Sequence, residues 1–191
     1  NLSEVIKRLA TSTDLSTIQN VLSTVGRVGE LFAKVHSYDV TLGDTKPDNV
    51  LIKQDGTIFL IDFEQATKEG DKAWDVAVFL YYSGHYLEPF YSNSKAESVA
   101  KAFIEGYLRG GGSVLNVRKA GGPKYTRVFS IFTIPPAIRV ISDVCKKTEL
   151  KKEKAHRYSH FADFAAIVTE VSNWKFKRNL KRFFCKLTES S

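Results

Sequence analysis

One change of hydrophobic period constrains this chain more than any other feature. Residues 49–53 (Asn-Val-Leu-Ile-Lys) and 57–62 (Thr-Ile-Phe-Leu-Ile-Asp) are β-rich runs, and Gln54-Asp55-Gly56 between them supplies the Asp-Gly pair of a hairpin turn. Two short antiparallel strands are expected. On both sides of them the spacing is helical. Upstream, Asp14 can cap a helix whose Leu15, Ile18, Leu22, Val25, Phe32 and Val35 recur at steps of three, four or seven and which should end near His36. Downstream, Trp74, Ala77, Val78, Tyr81 and Tyr82 mark a helix from Lys72 that is buried on more than one side. Ser94 to Glu97 has the form of a capping box ahead of Val99, Ala100, Phe103, Ile104 and Tyr107, and Gly110-Gly111-Gly112 reads as the stop. Residues 124–132 and 137–146 read as helices broken by Pro135-Pro136, and 156–184 as one or two more. The expected fold is mainly α with a small β-hairpin, in one compact unit.

Charge and composition narrow the partners. No apolar run approaches the 18 or so residues that span a bilayer, since Val76 to Tyr82 is the longest, so a soluble chain with no membrane partner is expected. The start, Asn-Leu-Ser-Glu, lacks a basic stretch followed by an apolar region, which argues against a secretory signal. Cys145 and Cys185 alone make no disulfide framework and suit free thiols in a reducing cytoplasm. The net charge of +7 suits polyanionic partners. The excess gathers late, at Lys146-Lys147, Lys151 to Lys154, and Lys175, Lys177, Arg178, Lys181, Arg182 and Lys186. A solvated helix face explains such runs more often than a surface for RNA or an acidic protein does. The absence of methionine points to a fragment of a longer reading frame.

The chemistry concentrates at Gly43-Asp44-Thr45-Lys46-Pro47-Asp48-Asn49, immediately before the first strand. Eighteen positions after Asp44 comes Asp62, at the end of the second strand, and thirteen further on Asp75. A hairpin from Asn49 to Asp62 returns the chain to its starting edge, bringing an amide oxygen and a carboxylate within reach of one cation. Mg²⁺ favours such a site, taking oxygen ligands at about 2.1 Å from one or two carboxylates, with phosphates and waters completing the shell. Taken singly the residues have ordinary readings: Asp44, Lys46 and Asn49 as turn residues, Pro47 as a loop breaker and Asp62 as a strand-end cap. His36 reads as a polar group suited to the helix C-terminus.

As an ordered set, Asp44-x-Lys46-Pro47-x-Asn49 followed by a strand resembles the catalytic loop of the protein-kinase superfamily, and Asp62-Phe63 its metal-binding Asp-Phe-Gly. The resemblance implies a protein-kinase-like C-terminal lobe over residues 1–191, with catalytic loop and metal-binding hairpin at 42–64. It implies ATP and Mg²⁺ (or Mn²⁺) as cofactors, Asp44 as the residue that accepts or orients the acceptor's proton, Lys46 as a counter-charge for the transferred phosphoryl group, and Asn49 and Asp62 as metal ligands. Asp75 would accept hydrogen bonds from the loop backbone. Leu42-Gly43 ahead of Asp44, and Glu64 in place of the glycine of Asp-Phe-Gly, are similar to the atypical branches, namely the RIO and Bud32-like kinases and the aminoglycoside and choline phosphotransferases, of which the RIO/Bud32-like type is the expected one. The short span from Asp62 to Asp75 leaves no room for a long phosphorylated segment. The 43 residues before Asp44 contain neither a glycine-rich strand turn nor a strand lysine, so the ATP-clamping N-terminal lobe is absent from the sequence and the chain alone is expected to be inactive. Lys46-Pro47 favours a serine/threonine protein kinase acting on a protein substrate. The alternatives are a pseudokinase-like scaffold that contacts RNA or protein, and a small-molecule phosphotransferase of the aminoglycoside or choline type.

Overall fold

The computed structural model describes residues 1–87 and 92–149. In chain order these form α1 (Leu2–Thr11), α2 (Leu15–Ser37), β1 (Val40–Thr41), a 3₁₀ turn (Pro47–Asn49), β2 (Val50–Ile52), β3 (Ile58–Leu60), β4 (Thr67–Lys68), α3 (Lys72–His85), α4 (Asn93–Arg109), α5 (Val114–Ala120), α6 (Pro123–Phe129) and α7 (Pro135–Lys147). The chain is mainly helical. Its strands form two antiparallel ribbons, β2 with β3 and β1 with β4. No helix among the described residues is long and apolar enough to cross a membrane.

Local signals explain most boundaries. The Asp14 carboxylate accepts from the amides of Ser16 and Thr17 and starts α2, and Asp71 caps α3 by accepting from the Ala73 amide. The hairpin has the register Val50↔Leu60, Leu51↔Phe59 and Ile52↔Ile58, and its turn closes through Lys53 N–H to Thr57 O at 2.9 Å, with Gly56 at φ +81°. Pro135 and Pro136 open α7 instead of breaking a helix, because the first turn has no use for their missing N–H groups.

The capping box is a misreading that the structure corrects. Helix α4 begins at Asn93, with Ser92 in the cap position and no side-chain cap. The Ser92 and Ser94 hydroxyls bond each other at 2.9 Å, and Glu97 pairs one turn onward with Lys101 at 2.6 Å instead of reaching back. The segment expected over 124–132 stops at Phe129, and α5 was not anticipated. The helices expected over 156–184 and the basic runs at 151–154 and 175–186 lie outside the described residues.

Helix α3 runs through the middle of the core. Val76, Ala77, Phe79, Leu80 and Tyr81 are all at most 1 % exposed, so this helix is covered nearly all round. Phe79 stacks on Phe103 of α4 with centroids 4.3 Å apart, and Phe32 of α2 meets both rings edge-on. Helices α2 and α4 cross at glycines. A Cβ on Gly106 would stand 1.9 Å from the Gly26 carbonyl oxygen, and one on Gly29 would stand 2.2 Å from that of Phe103. Both obstacles are backbone, so neither can yield without moving a helix.

Gly106→Ala should therefore lower stability by about 2 kcal/mol, within the usual range for forced overpacking, read as a shift of the urea midpoint at unchanged slope. Cys145 is fully buried in α7, and burial pushes its thiol from an ordinary value of 9.0 up to about 12. The folded value is the higher one, so this contribution to stability is intact below pH 9.0 and declines as the pH rises towards 12. In a Cys185→Ser background, a thiol reagent at pH 8 should label the native protein about 100-fold more slowly than the urea-unfolded chain.

Candidate functional site

The loop between β1 and β2 is fastened first through Asp75, in the opening turn of α3. Its carboxylate is wholly buried and accepts three donors: Leu42 N–H at 2.7 Å, Gly43 N–H at 2.9 Å and His36 Nε2 at 3.0 Å. Buried charge is tolerated only when hydrogen-bonded in this way. The same turn of α3 makes two further ties. The Thr45 hydroxyl donates to Asp75 O at 2.7 Å, and Trp74 Nε1 donates to Gly43 O at 2.7 Å. Gly43 sits at φ +81°, and a Cβ there would meet Gln65 Cβ at 2.6 Å, so the chain needs glycine just before Asp44.

His36 does more than decorate a helix end, which corrects the sequence reading. Its ring is buried in the last turn of α2 and bridges two helices, with Nδ1 lying 2.8 Å from the Tyr107 hydroxyl of α4. A carboxylate that already accepts two amides takes a third proton from Nε2, and in the neutral ring Nδ1 then accepts the Tyr107 hydroxyl proton. Tyr107 in turn accepts from Asn116 Nδ2 at 3.2 Å. Burial raises the Tyr107 phenol above its ordinary range, which keeps it a proton donor. Thr45 and Asn116 have no role in the sequence reading, and Trp74 and Tyr107 figure there only as helix-face residues. Their roles depend on contacts across the fold that no local motif encodes.

Within the loop, Lys46 Nζ pairs with Asp44 Oδ2 at 2.7 Å, and the two side chains are 33 % and 19 % exposed. The bond to Asp44 raises the Lys46 ammonium above its ordinary value, against a smaller opposing effect of burial; Tyr82 and Asp62 also lie within electrostatic range. Asn49 donates Nδ2 to Asp44 O at 2.9 Å, which leaves its amide oxygen as a free-electron-pair donor. Its own N–H donates to Lys46 O at 2.9 Å and closes the 3₁₀ turn. Asp44, Lys46 and Asn49 are thus held as one unit.

Asp62 comes back to this unit along the hairpin. Ile61 N–H donates to Asn49 O at 3.0 Å, continuing the β2–β3 ladder by one step, so Asp62 is one residue from the position opposite Asn49. Asp62 takes φ +61°, a left-handed conformation that costs about 1–2 kcal/mol for an ordinary residue. The third residue of the Asp-Phe-Gly-like triplet is Glu64, and the left-handed backbone position belongs to Asp62 itself. Beyond it, Thr67 and Lys68 pair with Thr41 and Val40, an interaction too short to show a period of two in the sequence.

Among the described residues no group of three or more His, Cys, Asp or Glu is gathered for a metal. A carboxylate and an amide oxygen, the donor types of Asp62 and Asn49, suit a hard cation that takes most of its ligands from phosphates and water. A separate groove of about 780 Å³ between α4 and α7, with Ile104, Leu108, Val140 and Val144 in its wall, shares no residue with the loop. No protein-family model, curated protein or solved structure matches this chain.

Removing the Asp75 carboxylate strands two buried donors and the part-buried Gly43 N–H, so Asp75→Ala should cost about 3–5 kcal/mol, measured by urea denaturation. At position 62 the backbone and the carboxylate can be separated. Asp62→Gly should be more stable than Asp62→Ala by about 1 kcal/mol, because only glycine takes this φ without strain.

Proposed function

We propose that this chain is a protein-kinase-like C-terminal lobe and carries the phosphate-transfer chemistry of an ATP-dependent kinase of the atypical RIO/Bud32-like type. The observation that carries this reading is the interlocked loop: Asp75 fixes its start, Asn49 ties its end to Asp44 O, and the hairpin returns Asp62 beside it. Four chemically specific groups, Asp44, Lys46, Asn49 and Asp62, are thereby presented from one short ribbon and loop.

In this reading an acceptor hydroxyl attacks the γ-phosphorus of ATP, the bond to the β–γ bridging oxygen breaks, and ADP leaves. Asp44 takes the hydroxyl proton, and its pairing with Lys46 holds its carboxylate in place until the acceptor arrives. Lys46 offers positive charge to the transferred group. Asn49 and Asp62 would hold Mg²⁺ or Mn²⁺, which when bound neutralises phosphate charge. Lys46-Pro47 favours a serine or threonine hydroxyl of a protein as acceptor over a small molecule. In the alternative reading the chain is a scaffold that contacts RNA or protein through its basic C-terminal region, of which residues 151–154 and 175–186 lie outside the described residues.

The test is metal-dependent γ-phosphate transfer by the protein that contains this chain. Asp44→Asn and Asp62→Ala should each reduce the rate by about 10²–10³-fold, the usual loss when a transition-state group is removed. Mn²⁺ with ATP should broaden NMR signals around Asn49 and Asp62 in the parent chain and not in Asp62→Ala. ATP consumption in Mg²⁺ or Mn²⁺ that survives Asp62→Ala would remove the metal role.

A further inference from the structure

The loop has a second anchor at its other end. Asp48 is the middle residue of the 3₁₀ turn between Lys46 and β2. One carboxylate oxygen, Oδ2, accepts the phenol proton of Tyr86, just past the end of α3. The other, Oδ1, lies 2.8 Å from the hydroxyl of Ser3 in α1, which also lies 2.8 Å from Asn1 Oδ1 and shares its single proton between the two. Ser3 is wholly buried, α1 packs against the turn, and Leu2, Ile6 and Leu9 of α1 are each at most 1 % exposed. The far end of α1 is fixed as well, by Lys95 Nζ of α4, which donates to Ala10 O at 2.8 Å and Ser12 O at 2.9 Å.

A free carboxylate two residues from Lys46 would be a natural contact for a basic group on an acceptor. Here both oxygens are occupied by the protein's own α1 and α3, and they point the residue inward. Burial pulls Asp48 upward, yet the bonds from Tyr86 and Ser3 outweigh it and hold the carboxyl below its ordinary value, with Lys7 of α1 adding positive charge nearby. The next residue, Asn49, closes the turn with its N–H on Lys46 O.

We propose that Asp48 is a positioning residue for the transfer reaction: gripped by Tyr86 and Ser3, it sets the pose of the turn that carries Lys46 and Asn49, without touching substrate. Its kinetic consequence rests on the phosphotransfer reading above. The anchoring itself does not, and the two are separated by experiment. Amide hydrogen exchange is compared in the parent chain, Tyr86→Phe and Asp48→Ala. The Asn49 amide should exchange at least about tenfold faster in both variants, while Leu42 and Gly43, held by Asp75, stay within about twofold. In the protein that contains this chain, both variants should lower kcat about tenfold with KM for ATP within about twofold, the signature of a group that acts in the transition state alone. Unchanged exchange at Asn49, or a rise shared equally by Leu42 and Gly43, overturns the anchor. Altered exchange with unchanged kcat overturns its role in the reaction. A parent protein that transfers no phosphate overturns the phosphotransfer reading and the kinetic role together, with the exchange data still deciding the anchor. Should Asp48→Ala fail to fold, Tyr86→Phe, which removes one hydroxyl, decides alone.

Discussion

A single buried carboxylate organises this molecule. Asp75 belongs to the most deeply covered helix, so its position is set by the whole core, and through three hydrogen bonds it passes that position to the loop before Asp44 and to the last turn of α2. In water these bonds would be worth little, because solvent competes for every partner. The buried donors, Leu42 N–H and His36 Nε2, would carry their desolvation cost if left unmet, so the arrangement is strongly favoured. The start of the loop is therefore placed by helix packing, while Gly43, Asp48 and Asn49 shape the rest of it.

The packing that supports Asp75 is itself tightly specified. Glycines let α2 and α4 approach backbone to backbone, and this closeness carries His36 and Tyr107 to bonding distance across the crossing. The aromatic cluster of Phe32, Phe79 and Phe103 fills the space beside it. A shift of either helix would disturb the imidazole bridge and, one bond further on, the start of the loop. Stability and site geometry are in this sense the same property seen from two places.

Much of this was legible in the residues. Asp14, the Asp55-Gly56 turn and the helical spacing of α2 state their structure locally, since caps, turns and amphipathic faces are short-range effects. The loop's contiguous motif likewise marked Asp44, Lys46 and Asn49, and its spacing marked Asp62 and Asp75. What escaped was non-local or too short. The bridge from His36 to Tyr107 spans 71 residues, and β1 and β4 have two residues each. Ser94 misled because a serine three residues before a glutamate can cap only if the hydroxyl and the carboxylate are free, and both have nearer partners.

The pairing of β1 with β4 has a mechanical implication. It joins Thr41, just before the loop, to Thr67, just after Asp62, and the Thr41 hydroxyl reinforces the junction with a bond to Thr67 O at 3.3 Å. Everything between is a ring of chain drawn shut at its neck, where a Cβ on Gly70 would stand 2.0 Å from Thr41 Oγ1. A movement of the segment before Asp44 is therefore passed at this neck to the segment after Asp62, so the two acidic arms are coupled at their bases even where the chain between them loosens.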